Sequence, residues 1–365
     1  MTALRQLDEV VTPALLLDGP TLLENIAAMS TRAADAGVEL WPHTKTHKSV
    51  RIAELQRAHG ATGLTVATLR EAQCFADAGF ERLLVAYPPV GAWRLHGLLE
   101  LAERVELRVV VDDVASVEQL HDASRGGRQL AYLWEVDCGV GRCGTLPGAP
   151  TAEQVVEAQR FTSARYDGLM TFGGHAYAAA DAAGLAAAAQ DEKDALAESA
   201  AAVESHGIES RGRSAGTTPT AHMLTDAGPI TEIRPGNYVF CDATQIALGI
   251  ATESQCAVSV LATVVSRPNA RRLILDCGSK ALAADAHPRA AGFGRVAGHP
   301  ELVVERLYEE HAIVTSTETI DIPLGARLRV IPNHSCPTVN LHSRMIVLER
   351  DDVVDAWPVD ARGWD

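Results

Sequence analysis

The feature that most constrains the fold of this chain is a rhythm. From about residue 38 to residue 245, short apolar runs of β character alternate with stretches of helical period. VELWPHTK (38–45), GLTVAT (63–68), RLLVAYP (82–88), LRVVVDD (107–113), QLAYLWEVDCG (129–139), YDGLMTFGGH (166–175), RGRSAGTTPT (211–220) and EIRPGNYVFCD (232–242) read as strands running into loops. Helical segments separate most of them, the longest being the Ala-rich stretch 182–207. Residues 20–37 open the series, with Leu23, Ile26, Ala27 and Ala34 on one side and Gly37 as a stop. About eight β segments with intervening helices predict an α/β fold, a (β/α)8 barrel over residues 20–245. An open doubly wound sheet is the competing arrangement.

Beyond residue 245 the texture changes. Residues 254–268, 271–278, 311–317, 326–333 and 344–359 are strand-like and separated by turns, without long helices. They predict a second, mostly antiparallel β domain over 246–365. TPALLLD (12–18) reads as a strand, and residues 1–19 are expected to pair with this second domain.

Composition excludes several function classes. A net charge of −15 over 365 residues argues against a nucleic-acid or anionic-membrane partner, which needs a basic surface. No run of about 18 apolar residues predicts a membrane span. The opening MTALRQLDEV is polar and charged, so no secretory leader is expected. Seven scattered cysteines, an odd number, suit a reducing compartment, and a cytoplasmic location is expected.

In a parallel barrel the chemistry sits where strands end, and the unusual clusters of this sequence lie there. WPHTKTHK (41–48) holds two lysines and two histidines within six positions. A lysine at a strand end, partly desolvated, has a lowered amine pKa and can form a Schiff base; a solvated turn is the plainer reading. Lys45 stands closer to the strand end than Lys48. SAGTTPT (214–220) and RPGN (234–237) are small turns with exposed backbone N–H groups and hydroxyls, the chemistry that binds phosphate. A Schiff-base lysine together with phosphate turns implies pyridoxal phosphate. In the second domain VIPNHSCPTVN places His334 and Cys336 two apart. On an extended strand such residues share a face and can meet one ion, and imidazole with thiolate suits Zn²⁺.

Taken in order, TPALLLD, PHTKTHK, GLTVATLREA, VDCGVGRCG, GLMTFGGHAY, SAGTTPT, EIRPGNYVF and PNHSCPTVN resemble the D-serine dehydratase / D-threonine aldolase family, fold-type III pyridoxal-phosphate enzymes related to alanine racemase. The resemblance spans nearly the whole chain. It implies Lys45 as the Schiff-base lysine, and Arg142 beside the pyridoxal ring. Thr217, Gly236, Asn237 and Tyr238 fall in the cofactor's phosphate turns, and His175 and Tyr177 face the ring. His334 and Cys336 become ligands of a catalytic metal. The cysteine favours Zn²⁺ and the dehydratase branch; an acidic residue there would favour Mn²⁺ or Mg²⁺ and the aldolase branch. The sequence departs from the family at Trp41, where arginine is usual.

The resulting expectation is a pyridoxal 5′-phosphate- and metal-dependent lyase acting on a small-molecule β-hydroxy D-amino acid. D-serine dehydratase comes first, D-threonine aldolase second, and a metal-independent racemase third. The family also implies a homodimer.

Overall fold

The computed structural model describes residues 6–125 and 127–363. The expectations for residues 1–5 and for 364–365 lie outside the described residues. In chain order the strands are β1 (Ala14–Asp18), β2 (Glu39–Leu40), β3 (Leu64–Val66), β4 (Arg82–Val85), β5 (Glu106–Val111), β6 (Leu130–Val136), β7 (Ala164–Thr171), β8 (Gly212–Ala215) and β9 (Glu232–Ile233). They continue with β10 (Val258–Asn269), β11 (Arg272–Leu275), β12 (Arg295–Val296), β13 (Val303–Leu307), β14 (Ala312–Thr315), β15 (Arg327–Ile331), β16 (Arg344–Glu349) and β17 (Asp352–Pro358). Two compact units result. One comprises Met29–Lys45 and Ile52–Gly236; the other comprises the chain up to Ala28 together with Thr46–Arg51 and Asn237–Gly363.

In the first unit the strands run parallel in the order β2-β9-β8-β7-β6-β5-β4-β3. A parallel bridge between His43 and Thr65 joins the two ends, with Thr62 N–H donating to the Leu40 carbonyl and Thr65 N–H to that of Pro42. The sheet is therefore closed, as the alternation predicts. Helices cover its outside, so β6 is buried at every position. Their starts are fixed locally: Thr68, Asp113 and Asp181 accept hydrogen bonds from the N–H groups of Glu71, Ala115 and Gly184.

Trp41, Leu84, Val110, Leu133 and Met170 form a buried cluster among the barrel strands. This explains the departure at position 41. The Trp41 indole fills the interior, and a Cβ at Gly63 would lie 2.5 Å from its ring, so only glycine makes room there. The Arg108 guanidinium sits 4.0 Å from the Trp41 ring centroid and donates to both oxygens of the buried Glu232, at 2.9 and 2.8 Å.

In the second unit β10 pairs with both β15 and β11, and the series β10-β11-β14-β13-β12-β15 returns to β10. This is a closed, antiparallel six-stranded barrel. Beside it, β10 also pairs with β1, which runs parallel to β16 and so carries the β16–β17 hairpin. Leu16, Leu261, Ile346 and Leu348 pack together with Val10 across these strands. The second domain is thus mostly antiparallel, with β1–β16 as the parallel exception.

Candidate active site

Lys45 lies just past β2, in the short 3-10 turn Thr44–Thr46. Its neighbours His43, Thr44, Thr46 and His47 are buried, while Lys45 itself is half-buried. Its Nζ is 6.0 Å from the ring centroid of Phe172, at the end of β7. The Arg142 guanidinium, from the loop after β6, stands 4.3 Å from the same centroid. Three strand ends thus bring Lys45, Arg142 and Phe172 together. Lys48 points elsewhere: its Nζ donates to Asn340 Oδ1 and to the Gly363 carbonyl, both at 2.9 Å.

The turn that carries Arg142 is built around Asp137. Its carboxylate accepts the N–H groups of Gly139, Val140 and Gly141 at 2.9–3.1 Å. Burial works to raise the Asp137 pKa, but those three donors outweigh it and hold the carboxyl below its usual range. Arg142 also reaches Glu135 at 3.5 Å. Glu135 is buried, which pushes its pKa up, while Arg142 and Arg234 work against that rise.

His175 and Tyr177 occupy the 3-10 turn Gly174–Ala178 after β7. His175 Nε2 lies 3.1 Å from Asp191 Oδ2, and its Nδ1 is buried without a hydrogen-bond partner. Thr217 caps the short helix Thr218–His222, its side chain accepting from Thr220 N–H. Behind both turns lies Glu192, fully buried, whose Oε1 accepts Gly173 N–H at 2.8 Å and Gly216 N–H at 3.0 Å. One carboxylate therefore ties the loop of His175 to the loop of Thr217. Burial pushes its pKa up. Gly173 is required by this contact, because a Cβ there would lie 2.6 Å from the Glu192 carboxyl carbon. The donor set fits pyridoxal phosphate: a half-buried lysine, an arginine, an orphaned imidazole nitrogen and a hydroxyl-rich turn.

Gly236 ends the first unit and Asn237 begins the second. The Asn237 amide is committed locally, donating to Asp242 Oδ2 and to Ser335 Oγ. Tyr238 is buried in the same turn. Asp242, also buried, accepts the Ser335 N–H at 2.9 Å.

The expected metal pair needs a correction in its geometry. β15 stops at Ile331, and His334 is the N-cap of the helix Ser335–Leu341, so Cys336 lies in a first helical turn rather than on an extended strand. Pro337 accounts for the switch, since proline is tolerated in a first turn, where the missing N–H has no helical acceptor. The two residues remain neighbours, and against desolvation the Cys336 side chain acts to raise the His334 pKa. Thr46, the residue after Lys45, places its Oγ1 3.2 Å from Cys336 Sγ. Imidazole and thiol form a donor set that fits Zn²⁺. Among the described residues no group of three or more His, Cys, Asp or Glu could hold an ion, so the pair supplies two ligands at most.

Sequence reasoning missed Phe172, Glu192 and Asp285, whose carboxylate lies 2.7 Å from His334 Nδ1. Asp137 had a local signal, an aspartate just ahead of two glycines; the other three depend on partners distant in sequence.

Two family models match. An alanine racemase N-terminal domain model covers residues 17–244, and a serine dehydratase domain model covers residues 257–348. The chain is 32% identical to D-threonine aldolase of Arthrobacter sp., over 98% of this chain and 94% of that one. It is 28% identical to D-serine dehydratase of Dictyostelium discoideum, over 94% of each. A solved structure of D-threo-3-hydroxyaspartate dehydratase, a cysteine-to-alanine variant in the metal-free form, superposes with a TM-score of 0.92. It has 31% identity over 98% of this chain and all of that one. Alanine racemase from Bacillus anthracis gives a TM-score of 0.68 at 14% identity, a likeness of fold alone.

Proposed function

The chain belongs to the family of D-threonine aldolase, D-serine dehydratase and D-threo-3-hydroxyaspartate dehydratase, and from that premise we propose a pyridoxal-phosphate-dependent lyase that removes water from a β-hydroxy D-amino acid, D-serine first. The observation that carries the site assignment is the approach of Lys45 and Arg142 to the Phe172 ring at the barrel's strand ends.

Each side chain then has a task. The Lys45 amine would hold the cofactor and would serve as the base for the substrate's Cα proton. Arg142 keeps a positive charge beside the ring, and Phe172 spaces it from the lysine. Thr217, with Gly236, Asn237 and Tyr238, would hold the phosphate; His175 and Tyr177 would border the ring. His334 and Cys336 would hold a metal, Zn²⁺ before Mn²⁺ or Mg²⁺, whose chemistry would act on the substrate's β-hydroxyl. When bound, pyridoxal phosphate supplies an electron sink and the metal a Lewis acid.

The same contacts serve an aldolase, and the 32% identity to D-threonine aldolase favours that as the second reading. Cys336 ranks dehydratase first, because a thiolate suits Zn²⁺. Product analysis with D-serine and D-threonine, with and without chelator, separates the two. A 2-oxo acid with ammonia supports the dehydratase, glycine with an aldehyde supports the aldolase, and neither product would overturn the lyase reading.

The enzyme is further read as a cytoplasmic homodimer. Supporting a reducing compartment, none of the seven cysteines is in a disulfide. Supporting an interface, Tyr87, Val90 and Leu146 stand exposed on loops that follow β4 and β6, and Trp93, 63% accessible, at the start of the helix Ala92–Ala102. A fully active monomer in sedimentation at assay concentration would remove the dimer.

A further inference from the structure

We propose that Asp285 is the positioning residue that aims His334 at its metal, an inference that rests on the metal reading above. Asp285 Oδ2 lies 2.7 Å from His334 Nδ1. A carboxylate there accepts the Nδ1–H, which fixes the proton on Nδ1 and leaves the Nε2 lone pair for a ligand bond. The negative charge also makes the imidazole a stronger donor to a cation.

Asp285 is 49 residues before His334, in an irregular segment, yet the structure ties it down. The buried Asn333 amide donates to the carbonyl of Asp285 at 3.0 Å and to that of Gly292 at 2.8 Å. Asn333 directly precedes His334, so one side chain staples both ends of the segment 285–292 beside the ligand it serves. From the other side, Thr338 Oγ1 donates to the His334 carbonyl at 3.0 Å and holds the helix start. Asp285 does not itself complete the ligand set, because no three such groups among the described residues could hold an ion. It acts through the imidazole.

The test uses cofactor-loaded protein stripped of metal and titrated with Zn²⁺ against a chromophoric chelator of known affinity. Asp285→Ala is expected to weaken Zn²⁺ binding about 10–100-fold. Its melting curve and cofactor absorbance should stay as in wild type, because Asp285 is solvent-exposed. Asp285→Asn, whose amide oxygen still accepts the Nδ1–H, is expected to recover most of the affinity. Nitrogen-15 NMR of the imidazole should show the Nδ1–H tautomer in wild type and Asp285→Asn, and lose that preference in Asp285→Ala. Wild-type affinity in Asp285→Ala overturns the inference. Equal losses in the Ala and Asn variants overturn it too, since they mark a direct ligand. A wild-type protein that binds no Zn²⁺, or whose binding survives Cys336→Ala, instead overturns the metal reading, and this inference falls with it.

Discussion

Lys45 and Lys48 stand three positions apart and face different chemistry. The Lys48 amine is spent on Asn340 and on the Gly363 carbonyl, and the residue is buried. Lys48→Ala should therefore cost about 3–6 kcal/mol of stability, the scale of two charge-assisted hydrogen bonds, while keeping the cofactor's visible absorbance. Lys45→Ala should lose that absorbance and nearly all turnover. Borohydride reduction followed by peptide mapping decides: a tag on Lys48 would end the assignment. Asp137 yields a second residue-level expectation. Its folded pKa is depressed, so its contribution is present above the unfolded value of about 3.9 and is lost as pH falls through the lower folded value. Melting temperature should drop as pH falls below about 4, and Asp137→Asn should flatten that limb; an unchanged slope would count against the turn as built. Lys45 was legible because a motif surrounds it. Glu192 was not, since a glutamate in an Ala-rich helix looks solvated until two glycine turns close over it.

Strands and helices were legible wherever the period was clean. The Ala-rich stretch forms the helix Ala182–Glu204, and 344–359 forms the β16–β17 hairpin. β13 escaped notice because VVERL is short and sits among turns. The His334–Cys336 segment departs from the extended strand expected of it for a physical reason: an apolar run ahead of it favours extension, but Pro337 fits a first helical turn as well as a strand end. β7 holds a feature no period reveals. Opposite β6 its register slips, Tyr132 facing Tyr166 and Leu133 facing Gly168, which leaves Asp167 as the extra residue, 3.8 Å from Arg108. Gly168 has φ +143°, and a Cβ there would lie 1.9 Å from the Gly212 carbonyl oxygen. Gly168→Ala should therefore break the β7–β8 pairing and cost about 3 kcal/mol or more. Urea unfolding reads this as a lower midpoint at unchanged slope; a wild-type midpoint would refute it.

At the scale of the whole molecule, the six-stranded barrel of the second unit closes on itself and packs its own apolar interior. A site with four protein ligands would couple metal binding to folding; His334 and Cys336 are two. Chelation should thus abolish turnover and leave the calorimetric melting curve nearly unchanged, and unfolding on chelation would make the metal structural. The placement of β1 has a consequence in time. Synthesis makes this strand well before its partners β10 and β16, with Leu17 opposite Val258 and Leu16 opposite Ile346. At a synthesis rate of roughly 5–20 residues per second, Leu15, Leu16 and Leu17 wait roughly 10–50 s for β10 and longer for β16. During that interval three adjacent leucines with open strand edges are a docking target for chaperones and a seed for aggregation. The hazard opens when β1 emerges and closes only when β16, about 330 residues later, has emerged to pair with it.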